Sequence, residues 1–200
     1  VKNNKELFNY SVIGSINTTN NIFTATVNDD INIQIDEIVE VKAKNIGVNI
    51  NAIVDIINSL EYESEEEEGH LQVAINAKNS YLYLSENRHA LSDEIYLYYE
   101  DKVLTTGLLY KEGVSGLKYE DNVFHAYGEN FNDEFMEELF AFSDFDGGEF
   151  AFTLSGNTKK YEGVFSINNT IVLDYKLLNN VLAFVNTIPS LVTFSTPGYN

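Results

Sequence analysis

Alternation of apolar and polar residues with a period of two dominates the first half of the chain. Ile31, Ile33 and Ile35 are interleaved with Asn32, Gln34 and Asp36, and Val39, Val41 and Ala43 with Glu40, Lys42 and Lys44. Phe23, Ala25 and Val27 form a similar set, and Tyr10 to Ile16 another. This is the signature of strands with one dry face and one wet face. The linking pieces are rich in Asn and Asp, which tolerate turn geometry. The period changes at 51–60, where Ile53, Val54, Ile56, Ile57 and Leu60 fit a short amphipathic helix. The following stretch, 61–68, holds six glutamates and reads as a solvated loop extended by its own repulsion.

From Leu71 onward strands are expected near 71–77, 80–85, 94–100, 103–111, 115–120, 122–128, 149–156, 161–168 and 170–174, the rhythm of a meandering sheet. Two of them carry bulky residues at every position: Tyr81-Leu82-Tyr83-Leu84 and Ile95-Tyr96-Leu97-Tyr98-Tyr99. A sheet with one wet face would place polar residues on alternate positions. The pattern leaves two arrangements open. Either both faces are covered in a two-layer core with tyrosines at its edge, or one face lines an apolar groove whose rim carries tyrosine hydroxyls. A helix is expected over 133–142, capped by Asn132 and opened by Asp133 and Glu134, with Phe135, Met136, Leu139 and Phe140 inward. Ser143 to Gly148 then turns on two glycines.

A second, greasier helix is expected to follow Asp174. Leu177, Leu178, Val181, Leu182, Phe184 and Val185 recur at helical spacing, and Pro189 ends the run. Ser190 to Thr196 reads as a strand closed by Pro197-Gly198. The candidate contacts for an apolar ligand are therefore Tyr81, Tyr83, Tyr96 and Tyr98 on the strands and Leu178, Leu182, Phe184 and Val185 on this helix.

Composition narrows the functional classes. Hydrophobic residues make up 44% of the 200, enough for a folded core in one β-rich segment with a sub-boundary at the acidic loop 61–69. The net charge is −19, from 31 acidic and 12 basic residues, which argues against nucleic acid and against docking on an anionic membrane surface. There is no cysteine, hence no disulfide, thiolate metal site or cysteine nucleophile. No apolar run reaches the roughly 20 residues that span a bilayer, and no basic region followed by an apolar stretch marks a signal peptide. A Val at position 1 and an end just past a turn suggest a piece of a longer or processed chain. The three histidines, His70, His89 and His125, have no paired spacing for a metal. Asp144 and Asp146 resemble the start of a calcium loop, but Ser155 stands where its glutamate belongs. Gly113-Val114-Ser115-Gly116 lacks the frame of a nucleophile elbow. Neither a catalytic residue nor a cofactor is assigned, and a non-enzyme is expected.

Four stretches carry a resemblance: Asn79-Ser80-Tyr81-Leu82-Tyr83-Leu84 with Glu86-Asn87-Arg88 following, Ala126-Tyr127-Gly128-Glu129-Asn130-Phe131-Asn132-Asp133, Phe142-Ser143-Asp144-Phe145, and above all Asp174-Tyr175-Lys176-Leu177-Leu178-Asn179-Asn180 continuing through Asn186-Thr187-Ile188-Pro189-Ser190-Leu191. Together they resemble the AsmA-like proteins of Gram-negative envelopes, in the TamB/YhdP-related branch. The resemblance covers most of 70–200. It implies a mainly β fold, a long, twisted, largely antiparallel sheet forming an open apolar groove, with two or three short helices packed on it. It also implies a periplasmic location, an inner-membrane anchor outside this segment, contact with other envelope proteins, and transfer of phospholipid between the two membranes through contact with acyl chains. The alternative reading is a β-sandwich binding or adhesion module for a glycan or protein, motivated by the abundance of Tyr and Asn.

Overall fold

The computed structural model describes residues 11–49, 72–85, 87–140, 145–157 and 159–172. They form one long open sheet that does not close into a barrel. In chain order its strands are β1 (Val12–Asn17), β2 (Ile22–Val27), β3 (Ile31–Ile35), β4 (Val39–Lys44), β5 (Gly47–Asn49), β6 (Val73–Ser85), β7 (Arg88–Glu100), β8 (Val103–Tyr110), β9 (Gly113–Glu120) and β10 (Val123–Phe131). After the helix α1 (Asp133–Phe140) come β11 (Phe145–Asp146), β12 (Glu149–Gly156), β13 (Tyr161–Asn168) and β14 (Ile171–Val172). Neighbours in the sheet follow chain order from β1 to β13, except that β5 pairs only with β6, while β11 and β14 form a separate two-stranded sheet. Every pairing is antiparallel except β4 with β6 and β5 with β6, where β4 and β5 lie end to end and parallel to β6.

Tight turns fix the register. Asp101–Lys102 and Asp121–Asn122 link β7 to β8 and β9 to β10 with φ of 48° and 66°, then 50° and 63°. Positive φ at both central residues matches the right-handed twist of flanking strands, and it pins Glu100 opposite Val103 and Glu120 opposite Val123. The Asn- and Asp-rich links read from sequence thus have the turn geometry expected of them.

The expected strands at 71–77 and 80–85 are one continuous strand, β6. Asn79 lies mid-strand with φ 47°. There the buried positions pass from odd (Val73, Ala77) to even (Ser80, Leu82), and β7 makes the matching change between Ser92 and Ile95. Strict alternation fails at that point, although one side of the sheet stays dry. β7 also begins six residues before the expected 94.

The helix forms as predicted. Asn132 Oδ1 accepts the Phe135 amide at 3.0 Å, and Asp133 Oδ2 accepts the Gly147 amide at 2.8 Å. Phe135, Met136 and Leu139 are buried, and Phe140 is half-buried. The helix packs on β7 and β12. Phe135 stacks on Phe131, centroids 4.5 Å apart, and meets Tyr110 at 4.6 Å. Ala90 and Ser92, fully buried on β7, are small enough to let it approach. The expected helices at 51–60 and 174–188, the acidic loop 61–68 and the strand 190–196 lie outside the described residues.

Candidate functional site

Residues directly opposite one another in paired strands share a face of the sheet. Following the register across the eleven strands from β1 to β13 gives one row: Gly14, Ala25, Ile33, Val41, Ile75, Leu97, Thr106, Leu117, Ala126, Leu154, Gly163. A second row runs on the same face from Val12 to Phe165, and a third from Ile16 to Tyr161. None of the three holds a charged residue. Their few polar members are Thr106, Ser115 and the phenols of Tyr99, Tyr119 and Tyr161. Thr106 Oγ1 is satisfied locally, donating to the Tyr96 carbonyl at 2.7 Å.

At about 4.8 Å between strands, the rows are about 48 Å long, and the outer two, four residues apart, are separated by about 13 Å. Burial is uneven along them. Ile16 on β1 is 72% exposed, β2 to β4 are mostly half-buried on this face, and Val73 on β6 is 4% exposed. Toward β13 bulky side chains lie down on glycines. Phe152 occupies the space a Cβ on Gly128 would need, and Leu154 that of Gly163. The result is a wide apolar side that is buried over its central strands, at Leu97, Leu104, Phe124 and Leu154, and open at β1, where Val12 and Ile16 are exposed.

The other face is mainly polar and tied by side-chain bonds both across and along its strands. Ser15 and Thr24 hydroxyls meet at 2.7 Å, Thr26 donates to Asn32 at 3.1 Å, and Lys42 pairs with Glu40 at 2.8 Å. Asn76 donates to Glu94, Tyr98 to Glu100 at 2.6 Å, and Lys118 pairs with Glu120 at 2.6 Å. His125 stands on this face, with its Nδ1 2.9 Å from Ser155 Oγ.

The sequence-nominated tyrosines stand on this polar face. Tyr81 and Tyr83 alternate with Leu82, which is buried on the apolar side, and cluster with His89, whose ring stacks on Tyr83 at 4.9 Å. Tyr96 lies across Gly107, and Tyr127 across the neighbouring Gly116. Burial pushes the Tyr96 phenol pKa up, with smaller contributions from Tyr127 and Glu94. The bond to Glu100 raises that of Tyr98. All four tyrosines therefore sit opposite the apolar rows. Leu178, Leu182, Phe184 and Val185 lie outside the described residues. The residues that do form the rows were visible in sequence as the dry sides of alternating strands, and the missing signal was their register.

At one margin of the apolar face, α1 is held by a polar latch. Glu134 Oε2 accepts from Lys111 Nζ at 2.7 Å and from Tyr110 Oη at 3.3 Å, while Asp93 Oδ2 accepts the Lys111 amide at 2.6 Å. The ammonium holds the Glu134 carboxyl pKa below its usual value, and Glu134 in turn raises that of Lys111. Among the described residues there is no group of three or more metal-ligating side chains, and no helix is long and apolar enough to cross a membrane. The chain matches no protein-family model, no curated protein and no solved structure.

Proposed function

We propose that this chain is a segment of an AsmA-like envelope protein, in which the uncharged sheet face carries phospholipid acyl chains between the inner and outer membranes. The observation that supports this reading best is the set of three charge-free rows crossing eleven strands on one face. The stretch from Ala126 to Asp133, which contributes to the family resemblance, runs through β10 into the cap of α1.

A continuous apolar floor suits transfer better than storage. Each CH₂ taken out of water is worth about 0.8 kcal/mol, so a chain that slides from row to row stays solvated by protein. An acyl chain spans about half of a hydrocarbon core about 30 Å thick, close to the width of the three rows. The polar face, tied by its own bonds, keeps the sheet wet on one side only. The segment works in the periplasm with an anchor outside it, without catalytic residues or a cofactor. A glycan- or protein-binding sandwich fits less well, because the described residues form one twelve-stranded sheet and a two-stranded pair, not two large sheets.

The test is native mass spectrometry of protein incubated with phosphatidylethanolamine vesicles. Bound phospholipid is expected. Val41→Asp, which puts a charge into the central row, reduces it several-fold, whereas Lys42→Asp on the polar face leaves it unchanged. A protein that stays empty, or loses lipid equally in both variants, overturns the reading.

A further inference from the structure

We infer that β1 is a docking edge for a second copy of this chain: two β1 strands pair antiparallel across a two-fold axis and join two sheets into one.

β1 is one end of the sheet, and all of its residues are exposed. Only half of its main chain is in use. The Asn28 amide donates to the Ser11 carbonyl at 2.9 Å, and the register runs on without a shift from Val12 opposite Val27 to Asn17 opposite Ile22. Bonded positions alternate in an antiparallel pair. Ile13, Ser15 and Asn17 therefore bond to β2, while Val12, Gly14 and Ile16 turn their N–H and C=O groups outward. A row of such groups is a template for another strand.

Charge selects the occupant. Sheet edges are commonly guarded by charged side chains, lysine above all. Here no charged residue occurs from Leu7 to Asn28, in a chain that is 22% charged. β13, the other end of the sheet, carries Glu162 and follows Lys159 and Lys160. Two copies at −19 each repel one another, and β1 lets them meet with no like charges between the paired strands.

The backbone fixes the register. Outward groups must face outward groups, and one antiparallel register uses all three on both copies. It sets Val12 opposite Ile16 of the second copy, Gly14 opposite its own counterpart, and Ile16 opposite Val12. Each of these pairs exchanges two main-chain hydrogen bonds. Ile13 then faces Ser15, and Ser11 faces Asn17, all uncharged. The two-fold axis stands perpendicular to the sheet. Val12, Gly14 and Ile16 begin the three charge-free rows, so those rows run on from one copy into the other along the same side. A contact of one strand pair is small, which sets the dissociation constant on the order of 10–100 µM.

The experiment is sedimentation velocity of the full chain, without lipid, at about 1 µM and about 300 µM, where monomer and then mainly dimer are expected. Gly14→Pro deletes an outward N–H and keeps the bonds to β2, at an edge position that accepts proline. A Cβ there meets nothing closer than 3.5 Å. Ile16→Lys places a charge on a side chain that is 72% exposed. Each is expected to weaken the dimer at least about tenfold, with unchanged far-ultraviolet circular dichroism. Val164→Lys on β13, at a side chain 69% exposed, should leave the dimer as it is. Gly14→Cys introduces a thiol into a chain that has none. Its Cα lies about 5.5 Å from its counterpart in the bonded pair, within reach of a disulfide. Oxidised glutathione should therefore link the two copies through Gly14→Cys and not through Thr19→Cys in the β1–β2 turn. A monomer at about 300 µM overturns the inference, including one whose Val12, Gly14 and Ile16 amides its own chain shields from exchange. So does a species that grows past the dimer, as β1 pairing head to tail with β13 would. A dimer that neither Gly14→Pro nor Ile16→Lys weakens, or that Gly14→Cys does not link, overturns it as well.

Discussion

Alanine at Gly107 and alanine at Gly116 should have very different consequences, although the two glycines are direct register partners on the polar face. A Cβ at Gly107 would overlap the Oη and Cζ of Tyr96 and the backbone carbonyl oxygen of Ser115. The ring can move, but the carbonyl belongs to the neighbouring strand and cannot move without parting β8 from β9. Displacing the ring gives up about half of the roughly 150 Å² that a tyrosine buries, or about 2 kcal/mol at about 25 cal/mol/Å². Forcing the strands apart adds about 1–3 kcal/mol. Against this, alanine is favoured over glycine in a strand by about 0.5–1 kcal/mol. The net loss for Gly107→Ala is therefore about 2–4 kcal/mol. At Gly116 the three nearest atoms are all outer ring atoms of Tyr127, with Cε1 at 2.6 Å, and that side chain is 42% exposed, with room to swing. Its lost packing and the entropic gain nearly cancel, leaving Gly116→Ala within about 1 kcal/mol of the parent. Urea unfolding followed by tyrosine fluorescence reads both, since the chain has 13 tyrosines and no tryptophan. With a slope of about 2 kcal/mol/M the Gly107 variant should unfold about 1–2 M earlier. A Tyr96→Ala background should relieve the ring part of the cost and leave the carbonyl part. Equal losses at the two glycines, or full relief by Tyr96→Ala, would refute the placement of the rings and of the Ser115 carbonyl.

Three further perturbations probe the same architecture. Asn132→Ala removes the cap on the Phe135 amide and should lower the unfolding free energy by about 1 kcal/mol in the same urea assay. Ser80 and Ser92 are fully buried register partners, yet Ser80 Oγ donates to the Lys78 carbonyl at 2.8 Å and accepts the Ile46 amide at 3.3 Å, while Ser92 Oγ has no partner among the described residues. Ser80→Ala should therefore destabilise by about 1–2 kcal/mol and Ser92→Ala be neutral or stabilising, read by thermal unfolding; the opposite order would contradict the hydrogen-bond assignment. Glu134 has a folded pKa below its unfolded value, chiefly through the Lys111 bond, so its contribution is complete above the unfolded carboxylate pKa and is lost as pH falls through the folded one. Amide exchange along α1 should accelerate over that acid interval in the parent, and Glu134→Gln should remove that pH dependence.

Most of the sheet was legible because its strands obey two local rules, alternation and Asn/Asp turns. The apolar floor and the tyrosines were harder to place, for a reason that can be traced to particular residues. In Tyr81 to Leu84 and Ile95 to Tyr99 both sides of the strand are bulky, and size alone does not say which side is dry. Register decides it. Ile95, Leu97 and Tyr99 go to the charge-free rows, while Tyr81, Tyr83, Tyr96 and Tyr98 go to the wet face, where Tyr98 reaches Glu100 and Tyr96 covers Gly107. That assignment follows from counting back from the turns at Asp101–Lys102 and Asp121–Asn122, which places Tyr96 opposite Gly107 and Gly116 opposite Tyr127. A tyrosine facing a glycine across a strand pair is a covering ring and not a groove contact. The phase change at Asn79 was beyond such counting, because a left-handed residue inside a strand looks in sequence like a break between two strands. Its effect reaches the packing of the helix. Without it, strict alternation would send Leu82 and Ala90 to the polar face, and the seat of α1 beside the apolar rows would be lost.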